Sequence, residues 1–201
     1  MSAPSEVAQP STNLHKYTYD NRLYQWHLRA FLDTLADMLR ETGPQTVLDA
    51  GCGEGFVTNY LAQKQPELKL TGMDLSQEAI DYAEAHFGDA ATFRTGSIYK
   101  LPFSDNSFDT VVCSEVLEHL DKPDSAVSEL KRVARQFVVI TVPREPYFKW
   151  LNDIGRFIGT TPDPGHVNFW TKSAFQLFIN RHFSEAQFAW KHTYQLAAGK
   201  V

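Results

Sequence analysis

Residues 47–55 read Val-Leu-Asp-Ala-Gly-Cys-Gly-Glu-Gly, and a helical pattern begins at once behind them with Phe56-Val57-Thr58-Asn59-Tyr60-Leu61. An apolar strand end, a carboxylate at Asp49 and alternating glycines at 51, 53 and 55 describe a tight strand-to-helix turn. Residues without side chains at such a turn let a nucleotide-like ligand lie directly on the backbone. The carboxylate is the informative departure. A loop that only cradled pyrophosphate would use amides and the positive end of a helix, and a negative charge there would work against it. Asp49 therefore points to a cationic or hydroxyl-bearing ligand beside the glycines.

Outside this stretch the chain reads as one globular unit. Its 201 residues suffice for one domain with a real core, and 43% apolar with 21% charged residues is ordinary for a soluble protein. The net charge of −5 comes without any Lys/Arg block, which argues against a large nucleic-acid footprint and so against long nucleic acid as partner. Two cysteines, Cys52 and Cys113, make neither a disulfide framework nor a zinc spacing and read as packing residues in a reducing compartment. No apolar run spans a bilayer, and residues 1–14 are small, polar and Pro-containing, without a signal-peptide core. The expectation is a disordered tail over 1–14, a domain over 15–201 and a cytoplasmic protein.

Periodicity predicts a helix over 22–41, with Leu23, Trp26, Phe31, Leu35, Met38 and Leu39 on its apolar side, stopped by Gly43-Pro44. Strands follow at Thr46–Asp49, Leu68–Asp74 and Ala91–Arg94, with helices over 55–64 and from the Ser76 cap to about His86. Phe108–Cys113 is continuously apolar, as a strand covered on both faces must be. A helix over 124–134 and a strand over 136–142 come next. Residues 143–170 are rich in Pro, Gly and aromatics and read as an insertion or lid. Thr171 then caps a helix with Phe175, Leu177 and Phe178 on its apolar side, and two closing strands end the chain. This alternation predicts an α/β fold, a Rossmann-like doubly wound parallel sheet with helices on both faces.

Residues 47–55 match the first motif of the class I S-adenosylmethionine-dependent methyltransferases position by position, and Pro102–Asp109 resembles a second family segment. The chain resembles the small single-domain members, the ubiquinone-pathway O-methyltransferase-like group among them. The resemblance implies seven strands with the last antiparallel beside the fifth, S-adenosyl-L-methionine as cofactor, and Asp49, Gly51, Cys52 and Gly53 around its methionine part. Asp74 closes the second strand 21 positions after Gly53, where a carboxylate can accept both hydrogen bonds of a ribose diol. That placement would also suit NAD. The Gly-x-Gly-x-Gly spacing, the charge of Asp49 and the lack of chain for a substrate domain weigh against it. Leu75 and Ile98 are candidates to sandwich the adenine. Many members carry an acid at the position of Ser97, so here that contact falls to the Ser97 hydroxyl or the Ile98 amide. Either apolar residue could instead be simple core packing.

The segment Ser114-Glu115-Val116-Leu117-Glu118-His119 leaves the fourth strand where ligands of open sheets bind. Glu115 is expected to line the cofactor pocket. His119 suits a general base because an imidazole titrates near neutrality. A helical reading would put Glu115, Glu118 and His119 on one face as divalent-metal ligands, Mg or Mn. Ubiquinone-pathway enzymes and small-RNA 3′-end 2′-O-methyltransferases carry a similar metal-linked Glu-x-x-Glu-His, the latter with a further downstream His, a place that His166 is a candidate to fill. Glu-His-Leu, residues 118–120 here, is common at this position in the superfamily without metal, so His119 and His166 are expected to act as catalytic groups and no metal ligand is assigned. Aromatic residues at 17–26 (Tyr17, Tyr19, Tyr24, Trp26) and 147–169 (Tyr147, Phe148, Trp150, Phe157) would roof an apolar acceptor or cover an open sheet end. The expected reaction is methyl transfer to a small-molecule hydroxyl. The alternatives are metal-assisted methylation of an RNA 3′ end and non-catalytic cofactor binding.

Overall fold

The computed structural model describes Tyr17, residues 21–145 and residues 165–201. The expected tail over 1–14, most of the insertion, and Tyr19, Tyr147, Phe148, Trp150 and Phe157 lie outside these residues. Helix α1 (Arg22–Glu41) starts at Asn21, whose side chain accepts from the amides of Leu23 and Tyr24. Its buried stripe runs from Leu28 to Leu39. Leu23 and Trp26 fall outside it, 74% and 59% exposed, because at 100° per residue both lie on the side of the helix away from Leu28, Leu35 and Leu39.

Seven strands follow: β1 (Thr46–Ala50), β2 (Lys69–Asp74), β3 (Thr92–Thr95), β4 (Phe108–Ser114), β5 (Ala134–Pro143), β6 (Ala186–Lys191) and β7 (Tyr194–Lys200). The helices between them are α2 (Phe56–Lys64), α3 (Gln77–Phe87), α4 (Pro123–Val133) and α5 (Lys172–His182). The strand order is β3-β2-β1-β4-β5-β7-β6. The β3-β2-β1-β4-β5 pairs are parallel, while β7 runs antiparallel between β5 and β6. Every residue of β4 is buried, as its apolar run requires at the centre of a sheet covered on both faces.

Alternate residues of the central strands feed two cores. Val47, Val112 and Val139 pack with α1, α2 and α3, while Leu48, Val111 and Ile140 pack with α4 and α5. Phe31 stacks on Tyr194 at 4.0 Å and His27 hydrogen-bonds Thr193 at 3.0 Å, which fastens α1 to β7. Ser76 and Thr171 cap α3 and α5 as their positions predict. In α5 the inward residues are Phe175, Phe178 and Ile179. Leu177 instead points to solvent at 74% exposure, because it lies on the opposite side of the helical wheel from Phe175 and Ile179. At the amino ends of the strands Asp109 accepts from the amides of Gln45 and Thr46 and the Thr46 hydroxyl, each at 3.0 Å, and pairs with Arg135. It locks the start of β1 to β4, far from the ligand-facing edge.

The sheet reverses its winding between β1 and β4, so their carboxyl ends open a crevice. A close approach within β7 gives a check on this packing. A β-carbon at Gly199 would sit 2.3 Å from the Phe183 ring. Gly199→Ala should cost about 1–3 kcal/mol in urea unfolding, and an unchanged midpoint would contradict the packing.

Candidate active site

The turn after β1 is held by its neighbour strand. The amides of Gly51 and Cys52 both donate to the Met73 carbonyl, at 2.7 and 3.0 Å, and the Gly53 amide donates to Asp74 Oδ2 at 2.9 Å. Asp74 Oδ1 accepts from the Ser76 amide at 2.9 Å, so the carboxylate is fixed while each oxygen keeps acceptor capacity. Gly51 has φ +88°, and a β-carbon there would lie 2.4 Å from Val116 Cγ2. Only glycine serves both constraints, and the contact brings the turn after β4 directly against the glycine loop.

Asp49 lies beneath this loop, 1% exposed, on the strand face that looks toward α2. Its Oδ2 accepts from Thr58 Oγ1 at 2.6 Å; its Oδ1 has no hydrogen-bond partner among the described residues. Burial raises the carboxyl to about 6; the Thr58 bond opposes this and the charge of Asp74 adds to it. Thr58, in the first turn of α2, carries no signal in the sequence, although its helical register toward β1 follows once the helix start is known. Glu54, between two loop glycines, is also buried and lines the crevice with Tyr17, Phe56, Ser114 and Glu115. Tyr17 stacks on Phe56 with centroids 4.7 Å apart. A larger hollow of about 580 Å³ lies to one side between α1 and α2 and shares only these two rings with the crevice. Cys52 and Cys113 are buried free thiols whose pKa values burial drives upward, so neither is a nucleophile.

Leu75, 41% exposed, flanks Asp74 at the end of β2, and Ser97 and Ile98 follow β3. Ile98 is 9% exposed in the core with Met73, and the Ser97 hydroxyl accepts from the Tyr99 amide at 3.3 Å.

After β4 the chain does not enter an α-helix. Glu115 takes φ +59° and only Leu117–His119 form a single 3₁₀ turn. The shared face that a helical reading would give Glu115, Glu118 and His119 is therefore absent. Glu115 turns back to β5, accepting from Thr141 Oγ1 at 3.2 Å and donating its amide to the Thr141 carbonyl at 3.1 Å. Glu118 is 1% exposed, and His119 meets a residue from far along the chain. The rings of His119 and His166 stand edge to face at 4.8 Å. Ligand-capable atoms of Glu118, His119 and His166 all lie within 4.8 Å of one another. His119 Nδ1 lies 3.4 Å from the Gly165 carbonyl, which can only accept; this favours the proton on Nδ1 and leaves Nε2 as the basic nitrogen.

Residues 48–140 match the family model described as a methyltransferase domain. An uncharacterized methyltransferase of Schizosaccharomyces pombe is 43% identical over 99 residues, covering 44% of this chain and 36% of its own length. The ubiquinone biosynthesis O-methyltransferase of Paracidovorax citrulli is 37% identical over 94 residues, 44% of this chain and 39% of that protein. This chain thus aligns with under two-fifths of either relative. Among solved structures, the magnesium protoporphyrin IX methyltransferase of Synechocystis PCC 6803, with bound S-adenosylhomocysteine, superposes with a TM-score of 0.69. It covers 94% of this chain and 91% of that one at 18% identity, a likeness of fold.

The buried carboxyl of Asp49 makes a stability prediction. Its folded pKa lies above the unfolded value, so its ionisation in the folded state costs stability as pH rises from about 4 through 6, reaching on the order of 3 kcal/mol above that. Asp49→Asn should therefore gain stability relative to the parent at pH 8 compared with pH 4 in denaturant titrations. A difference that does not vary with pH would contradict the buried, raised carboxyl.

Proposed function

From the premise that this chain is a class I S-adenosylmethionine-dependent methyltransferase, we propose that it transfers the cofactor's methyl group to a hydroxyl oxygen of a small acceptor. The observation that carries the reading is one juxtaposition. A glycine loop tied to Asp74 meets, through Gly51 and Val116, the turn that presents His119 beside His166. Asp74 would accept from the ribose diol, Leu75 and Ile98 would border the adenine with Ser97 nearby, and the Gly51, Cys52 and Gly53 backbone would carry the methionine part. Asp49, Glu54 and Glu115 add negative charge around a ligand that bears an ammonium and a sulfonium.

In the step itself the acceptor oxygen attacks the methyl carbon as the carbon–sulfur bond breaks, and the bonding pair stays on sulfur as a neutral thioether. The hydroxyl proton passes to an imidazole nitrogen, His119 Nε2 by the tautomer argument. The protein's contribution is alignment, with the cofactor supplying the reactive carbon.

Calorimetry with S-adenosylmethionine tests the first half. Asp74→Ala should weaken binding at least about tenfold while the protein stays folded. His119→Asn should leave that affinity intact and lower turnover on phenol, quinol or hydroxy-acid acceptors by about 100-fold or more. Cofactor binding without turnover on any acceptor would favour a binding protein instead.

The convergence of Glu118, His119 and His166 favours a second, metal-assisted reading. One carboxylate and two imidazoles form a donor set for a divalent ion such as Mn²⁺, which would acidify an acceptor hydroxyl. Glu115, engaged with Thr141, is not in that group. The net charge of −5 weighs against an RNA end as the acceptor. EDTA should abolish turnover, and Mn²⁺ or Mg²⁺ restore it, if this reading holds; full activity in chelator ends it.

A further inference from the structure

The two halves of the histidine pair stand 47 positions apart in the chain, and one side chain outside the pair joins them. The turn Leu117–His119 follows the buried strand β4 closely; within it the Leu117 carbonyl accepts from the Leu120 amide at 3.3 Å, and a carbonyl oxygen can take a second donor. The 165–168 segment supplies further donors to this turn. The amides of Val167 and Asn168 both donate to the Glu118 carbonyl, at 2.9 and 3.0 Å. The Asn168 side-chain amide donates to the Leu117 carbonyl at 3.0 Å and the Leu120 carbonyl at 2.6 Å. Two residues thus serve the carbonyls of 117, 118 and 120. The far end of the segment is fixed separately. The Trp170 carbonyl accepts from the Glu145 amide at 2.9 Å and Gln195 Nε2 at 2.7 Å, and Thr171 bridges Glu145.

From this geometry we infer that Asn168 is a positioning residue, which clamps the turn carrying Glu118 and His119 to the segment carrying His166 and so assembles the Glu118/His119/His166 group. The inference rests on the reading that this group handles the acceptor's proton, but the clamp itself is a structural claim. An asparagine is suited to it: one short, neutral, planar amide directs two N–H donors at two carbonyls. An ionised aspartate of the same shape would present acceptors to acceptors. Neither variant touches the glycine loop or Asp74.

The test compares the parent with Asn168→Ala and Asn168→Asp, folded fraction checked by thermal melts. The primary readout needs no acceptor: nuclear Overhauser contacts between the His119 and His166 rings, present in the parent and lost in both variants. Cofactor affinity by calorimetry should be unchanged, and kcat on a hydroxyl acceptor should fall roughly 10- to 100-fold with little change in the KM for cofactor. Should the variants fold poorly, the parent alone decides. Through-hydrogen-bond couplings from Asn168 Nδ2 to the Leu117 and Leu120 carbonyl carbons support the clamp, and their absence overturns it. Retention of the ring contacts in folded Asn168→Ala also overturns it. A parent that turns over no hydroxyl acceptor would refute the functional reading, while the ring contacts would still decide the clamp.

Discussion

The carboxylate of Asp74 accepting the Gly53 amide at 2.9 Å is the constraint on which the ligand-facing edge depends. A loop with glycine at every second position, 51, 53 and 55, has few side chains to hold its own shape and carries high conformational entropy. Here the loop is pinned from the next strand, by the Met73 carbonyl at Gly51 and Cys52 and by Asp74 at Gly53. Parallel pairing of β1 with β2 sets Ala50 opposite Met73, so the loop begins where those acceptors are. The residue proposed to hold the ribose is therefore also the residue that shapes the surface on which the rest of the cofactor would lie.

From this anchor the other half of the site follows by contact. Gly51 admits Val116 because it lacks a β-carbon, and Val116 leads into the 3₁₀ turn of Leu117–His119. That turn is short because Glu115 bends back to Thr141 on β5. The bend leaves carbonyls for the returning 165–168 segment, which brings His166 to His119. Negative charge is concentrated under and around the loop, where Asp49 is buried at the cost of a raised pKa. A buried, partly unsatisfied carboxylate destabilises the isolated protein, and that is a reason to look for its use in binding a cationic ligand.

What the sequence discloses and what it hides divide along physical lines. The strand, the glycines and Asp74 are legible because turn chemistry and a fixed strand-to-strand spacing demand particular residues. β4 is legible because double-sided burial leaves no room for polar alternation. Ser76 and Thr171 are legible as caps. Leu23, Trp26 and Leu177 do not join the core because each lies on the helix side away from the buried stripe, and apolar character alone does not say which angular sector of a helix is covered. The path of Glu115 to His119, left open between a helical and another course, is not legible because the deciding pull, a hydrogen bond to Thr141 on β5, is a tertiary contact with no local signature. Asn168 has no local signature for the same reason, since it acts on a turn about 50 positions earlier, and Thr58 shows its role only once the start of α2 fixes which of its side chains face Asp49. The meeting of His119 with His166 could be suspected from family likeness but follows physically only from the hydrogen bonds of the 165–171 segment to the 117–120 turn, Glu145 and Gln195.

The most direct measurement is an amide chemical-shift titration of the full chain with S-adenosylmethionine. The account predicts that the amides of Gly51, Gly53, Asp74, Leu75 and Ile98 move together and saturate at one affinity. Saturable shifts confined to the hollow between α1 and α2, with those five amides unmoved, would contradict it.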